Sequence, residues 1–141
     1  MAETVLLLRR RDFNDIVRYS EETYPAEACG ILIGKSSGTK KTVKGVRRAR
    51  NILNSNSRYQ VDPVEQLKAF EESEKKDQQV LGFYHSHPNS PAFFSEIDRV
   101  QACYPGYSYL VYSVKDRDMR SYVPKKDGIR EEKVRVTHSS Q

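Results

Sequence analysis

Apolar positions along this chain switch repeatedly between strand and helix periodicity. Val5-Leu6-Leu7-Leu8 is a short apolar run followed by Arg9-Arg10-Arg11, and it reads as an edge or core strand. Beyond it Phe13, Ile16, Val17, Ser20 and Tyr24 fall at helical spacing, with Asp12 placed to cap that helix and Pro25 to end it. A strand from Glu27 to Gly34 follows, then a turn through Ser36-Ser37-Gly38 and a basic strand around Thr42 to Arg50. Asn51 to Ser57 is polar and reads as a loop, with a short strand from Arg58 to Val61. Asp62-Pro63-Val64-Glu65 supplies a cap, a first-turn proline and a glutamate, and so opens a helix that ends near Asp77. Val80 to Tyr84 reads as a buried strand running on to His87, and after a proline-containing loop a helix is predicted from Ser95 to about Cys103, stopped by Pro105-Gly106. Tyr107 to Val114 and Arg120 to Val123 pair across a turn at Lys115 to Asp118, and Lys125 to Gly128 turns into a last strand or arm. A single domain over residues 1–136 is expected, with a disordered tail at 137–141. Strands and helices in this order, with few regular βαβ repeats, predict an α/β fold in which helices flank a mixed central β-sheet.

Composition narrows the class. With 141 residues, 37% of them hydrophobic, the chain suffices for one core without staples. The early apolar run is too short for a signal peptide and its arginines follow it, so a cytoplasmic protein with no membrane association is expected. Two cysteines make no disulfide framework. Cys29 is two residues from Glu27 and would share its face on a strand; the plainer reading is a small buried core thiol. The net charge of +5 is uneven, because Ala28 to Val61 holds eight basic residues and no acidic one. That run is a solvated face, a docking surface for an acidic protein or, more weakly, a nucleic-acid contact.

The chemistry concentrates in His85-Ser86-His87-Pro88 and the segment down to Ser95-Glu96-Ile97-Asp98. On a strand, residues i and i+2 project from one face, and at about 3.3 Å per residue the two histidine α-carbons lie roughly 6.6 Å apart, close enough for both imidazoles to reach one ion. Asp98, on the helix after the loop, would be the third ligand. Three protein ligands leave a position open, the arrangement of catalytic rather than structural zinc. Ser95 and Asp98 also resemble a helix capping box, and the two readings are compatible: a cap can position a ligand.

Glu27, His85, His87, Pro88, Ser95 and Asp98 together resemble the signature of the JAMM (JAB, MPN+) zinc metalloproteases: a distant glutamate, then His-x-His-Pro, six residues, and Ser-x-x-Asp. Tyr24 to Gly34 is similar to the Pro-x-Glu-x-Cys-Gly entry of the small prokaryotic members, and the resemblance runs from about residue 5 to about residue 123. One departure is Phe94, where many of those sequences carry proline before the motif serine. The resemblance implies a JAB/MPN domain, similar in architecture to the cytidine deaminase fold. It implies Zn2+ held by His85, His87 and Asp98, Glu27 as general base and then acid, and Ser95 as a donor to the oxyanion. It further implies a substrate class: the C-terminus of a ubiquitin-like or sulfur-carrier protein ending in Gly-Gly, cut at a peptide or isopeptide bond.

Deaminase chemistry is disfavoured, because His-x-Glu with a downstream Pro-Cys-x-x-Cys is missing. The short link from Asp98 to Tyr107 lacks the insertion with which eukaryotic members grip polyubiquitin. Two rival functions remain: a non-catalytic MPN-type interaction domain, and a basic nucleic-acid-associated module using Lys40, Lys41, Arg47 and Arg48.

Overall fold

The computed structural model describes residues 3–102 and 104–138. Its elements are β1 (Val5–Arg9), α1 (Arg10–Thr23), β2 (Cys29–Ser37), β3 (Lys40–Ala49), α2 (Pro63–Lys75), β4 (Gln79–His87), α3 (Glu96–Gln101), β5 (Ser108–Ser113), β6 (Asp118–Lys125) and β7 (Gly128–Thr137). The fold is mixed α/β, but the sheet is not an open one flanked by helices. Its strands close in the order β1-β3-β2-β4-β5-β6-β7 into a barrel, because β1 lies parallel to both β7 and β3 and so joins the two ends.

β4 lies between antiparallel β2 and parallel β5, and His85 is bonded in register with Cys29 on one side and Val111 on the other. Gly82 permits the second pairing, since a Cβ there would meet the Ser108 carbonyl oxygen at 1.9 Å. Alternate residues along these strands feed two cores. Ile31, Phe83 and Val111 pack with Ala69 of α2, while Leu32, Tyr84 and Leu110 pack with Ile16 of α1.

Several boundaries differ from the sequence reading for local reasons. α1 leaves β1 directly at Arg10, and Asp12 sits buried in its first turn paired with Arg9 at 2.7 Å, so Asp12 is not the cap. Arg58 to Val61 forms only an isolated bridge, Asn51 to Val61, within a loop held by side-chain hydrogen bonds. The hairpin between β2 and β3 turns at Gly38 and Thr39, with Gly38 at φ +61°, a left-handed conformation suited to glycine. α2 is capped as expected, the Asp62 carboxylate accepting from Val64 N–H. α3 ends at Gln101, and Cys103 lies outside the described residues. β7 reaches Thr137, one residue past the expected domain boundary; residues 139–141 of the expected tail lie outside the described residues. No described helix is long and apolar enough to cross a membrane.

Among the described residues, four of the eight basic residues in the run meet acids in three dimensions. Arg48 pairs with Asp15 and Glu22 of α1, Arg47 with Glu72 of α2, and Lys35 with Asp77. Lys41 is buried, 3.4 Å from Glu132, and donates to Ser108 and to the Gly106 carbonyl. Three of the four side chains named for a nucleic-acid contact are thus committed to acids from elsewhere in the chain.

Candidate metal centre and active site

His85 and His87 are the last odd-numbered positions of β4, so both rings leave the same face at its C-terminal end. The loop after them returns α3 across that end, and its anchoring explains how Phe94 replaces a rigid proline. Phe94 is buried and stacks on Tyr122 with ring centres 5.1 Å apart. The Tyr122 hydroxyl donates to the Ala92 carbonyl at 2.9 Å, and Ser113 donates to the Ser90 carbonyl at 2.7 Å.

α3 begins with a full capping box: Ser95 Oγ accepts from Asp98 N–H at 3.1 Å, and Asp98 Oδ2 accepts from Ser95 N–H at 3.0 Å. That box turns the Asp98 carboxylate inward. Oδ1 lies 3.0 Å from His85 Nε2, Oδ2 lies 3.0 Å from His87 Nε2, and the two Nε2 atoms are 3.3 Å apart. All three residues are buried, with ligand atoms within 4.8 Å of one another.

These distances fit a bound cation. Two ligands at 2.0 to 2.1 Å from a tetrahedral zinc are about 3.3 Å from each other. The tautomer fits too. His87 Nδ1 is 2.8 Å from the Pro91 carbonyl, an acceptor only, so Nδ1 carries the proton and Nε2 presents its lone pair. A lone pair 3.0 Å from a carboxylate oxygen requires a proton or a metal ion between them.

Electrostatics follow from burial and mutual proximity. Burial lowers the His85 pKa, whereas at His87 the burial effect is outweighed by the hydrogen bonds to Asp98 and to the Pro91 carbonyl, which raise it. Burial also opposes ionisation of Asp98, but in the metal-free protein, with the imidazoles protonated at Nε2, the His85 charge and hydrogen bonds from both rings and from Ser95 hold its carboxyl well below the usual range.

Glu27 lies just before β2 rather than on it, and is 4% exposed. Its Oε1 is buried with no hydrogen-bond partner among the described residues. Burial pushes its pKa up to about 7, with His87 pulling down and Asp98 adding to the rise. Its neighbour Ala28 is bonded in both directions to Ser86, the residue between the histidines: Ala28 N–H donates to Ser86 Oγ at 2.8 Å, and Ser86 N–H to the Ala28 carbonyl at 3.0 Å. The glutamate is thereby tied to the histidine strand. Cys29, beyond it, is a core thiol whose pKa burial pushes up to about 12.

Tyr59 was not singled out by the sequence, which placed it only within the short strand expected from Arg58 to Val61. It stacks on His85 with ring centres 4.3 Å apart and planes at 16°. Among the described residues His85 Nδ1 is buried without a hydrogen-bond partner, so the stack does the orienting that a hydrogen bond does for His87. Tyr59→Ala is expected to weaken zinc binding about 10- to 100-fold, with Tyr59→Phe close to wild type, as measured by competition with a chelating dye.

Within this barrel, two strand histidines, a helix-capping aspartate and a buried glutamate beside them are the arrangement that the resemblance to JAB domains implies. The family described as prokaryotic homologs of the JAB domain matches residues 9–125, and the chain belongs to that family. It is 38% identical to a desampylase of Haloferax volcanii over 94 residues, 66% of each chain. It is 31% identical to the CysO-cysteine peptidase of Mycobacterium tuberculosis over 135 residues, 94% of this chain and 91% of the relative. A solution structure of a Desulfitobacterium hafniense protein, 31% identical, superposes with a TM-score of 0.88 over 96% of this chain and 94% of the other.

Proposed function

We propose that this protein is a zinc-dependent peptidase or isopeptidase acting after the Gly-Gly C-terminus of a ubiquitin-like or sulfur-carrier protein. The observation that carries this reading is the convergence of His85, His87 and Asp98 beside a buried glutamate whose Oε1 has no hydrogen-bond partner among the described residues. Relatives named desampylase and CysO-cysteine peptidase support the substrate class.

His85 Nε2, His87 Nε2 and Asp98 would hold the ion. Bound zinc supplies Lewis-acid polarisation of a carbonyl and a hydrolytic water that is acidic enough to ionise near neutral pH. Glu27, its pKa raised to about 7, is suited to take a proton from the attacking water and return it to the leaving amine. Ser95 Oγ accepts the capping bond from Asp98 N–H, which leaves its own O–H free to donate to an oxyanion. An apolar cleft lined by Tyr59, Leu67, Phe70 and Tyr104 adjoins the site through Tyr59 and offers a carrier protein a resting surface. The protein acts in the cytoplasm in this reading.

The test is intact mass spectrometry of Gly-Gly carrier proteins bearing either a C-terminal cysteine or an isopeptide-linked lysine. Loss of one adduct with the zinc-loaded protein and not with Glu27→Gln is the expected result. Retention of both adducts by the zinc-loaded protein overturns this substrate class. A zinc-free protein after growth in zinc-replete medium supports the non-catalytic alternative.

A further inference from the structure

The Glu27 carboxylate has to be free to move a proton, so the glutamate has to be held by its backbone. We propose that Asn51 is the positioning residue that does this, acting through the loop 51–61; the proposal rests on the role given to Glu27 above.

Asn51 uses all of its side-chain capacity. Nδ2 donates to the Glu27 carbonyl at 3.0 Å and to the Arg58 carbonyl at 3.0 Å. Oδ1 accepts from Leu53 N–H at 3.1 Å and from Gln60 N–H at 3.0 Å. One amide thus closes the loop on itself and fastens it to the glutamate. The loop completes the grip on the other side, where Ser55 O accepts from Glu27 N–H at 2.7 Å. Both peptide groups of Glu27 therefore end on this loop, while Ala28 ends on Ser86.

The same loop touches the metal half of the site at a different point. Tyr59 stacks on His85, and its carbonyl accepts from Gln101 of α3 at 2.6 Å. Asn51 reaches Tyr59 only through its neighbours, the Arg58 carbonyl and Gln60 N–H, whereas it bonds the Glu27 peptide directly. Loss of the Asn51 donor displaces the glutamate and leaves the three ligands on β4 and α3. A shift of about 1 Å in a catalytic group costs about 100-fold in rate.

Asn51→Asp keeps the shape and the two accepting bonds, but sets an acceptor against the Glu27 and Arg58 carbonyls. Its expected signature is kcat lower by about 100-fold with KM within about 3-fold. Zinc stoichiometry is expected to be that of wild type and zinc affinity to fall by no more than about 10-fold, well short of the loss in rate, and the Glu27 amide to exchange with solvent at least about 10-fold faster while Phe83 and Tyr84 of β4 stay protected. Asn51→Ser, with one hydroxyl donor, should fall between wild type and Asn51→Asp, and serves if the aspartate variant does not fold. Three results overturn the proposal: kcat within 3-fold of wild type in both variants, a loss of rate matched by a loss of zinc affinity, or a loss of exchange protection spread over β4. The hydrolase reading fails separately, if Glu27→Gln is itself fully active.

Discussion

Glu27→Gln is expected to lower kcat by about 10³-fold while the protein still binds one zinc, because the amide keeps the shape of the carboxylate and cannot accept a proton. A second effect separates this residue from a bystander. In the metal-free protein the carboxyl pKa stands at about 7 against an ordinary value of 4.5, chiefly through burial. Between those values the folded chain holds a proton that the unfolded chain has released. Stability therefore falls as pH rises through the window, and the whole cost, about 3 kcal/mol, is present above it. Gln carries no such cost. Urea unfolding of the metal-free proteins should show Glu27→Gln more stable than wild type by about 2–3 kcal/mol at pH 8 and equal to it near pH 4. A variant less stable at pH 8 would contradict a buried, proton-accepting Glu27.

Asp98→Ala carries the other large effect, because one carboxylate both faces the histidines and caps α3. Removing one of three ligands should weaken zinc by about 10² to 10³-fold, a quarter of the 10–16 kcal/mol typical of a four-ligand site. Removing the cap should cost a further ~1 kcal/mol in the metal-free protein. Asp98→Asn divides the two, since its side-chain oxygen can still accept from Ser95 N–H while the charge is gone. Zinc titration followed by thermal unfolding reads both terms. The pH dependence has the opposite sign to that of Glu27. The Asp98 carboxyl is held below its ordinary value, so its contribution is present above pH 4 and lost as pH falls below it. A zinc affinity unchanged in Asp98→Ala would remove this residue from the ligand set.

How much of this was legible beforehand follows from the range of the interactions. The period of two fixed His85 and His87 on one face, and Ser-x-x-Asp announced the cap, because both are local patterns. Glu27 was found only through family resemblance. It sits in irregular backbone, and what holds it comes from Asn51, Ser55 and Ser86. Barrel closure left no mark either, since it pairs the first strand with the last. The basic run stayed open between its readings for the same reason: the acidic partners of Lys35, Lys41, Arg47 and Arg48 come from α1, α2, the turn after α2 and β7, and a one-dimensional tally does not show them.

β4 is hydrogen-bonded to β2 along most of its length and to β5 as far as His87, so the histidines are mounted on a strand that needs no ion to exist. Little of a bound ion's affinity would then be consumed in building its seat. If the centre takes zinc as proposed, the expected consequence is exchangeability: the ion should be removable and replaceable without passing through an unfolded state, and a spectroscopically visible ion such as cobalt should report on the centre from within.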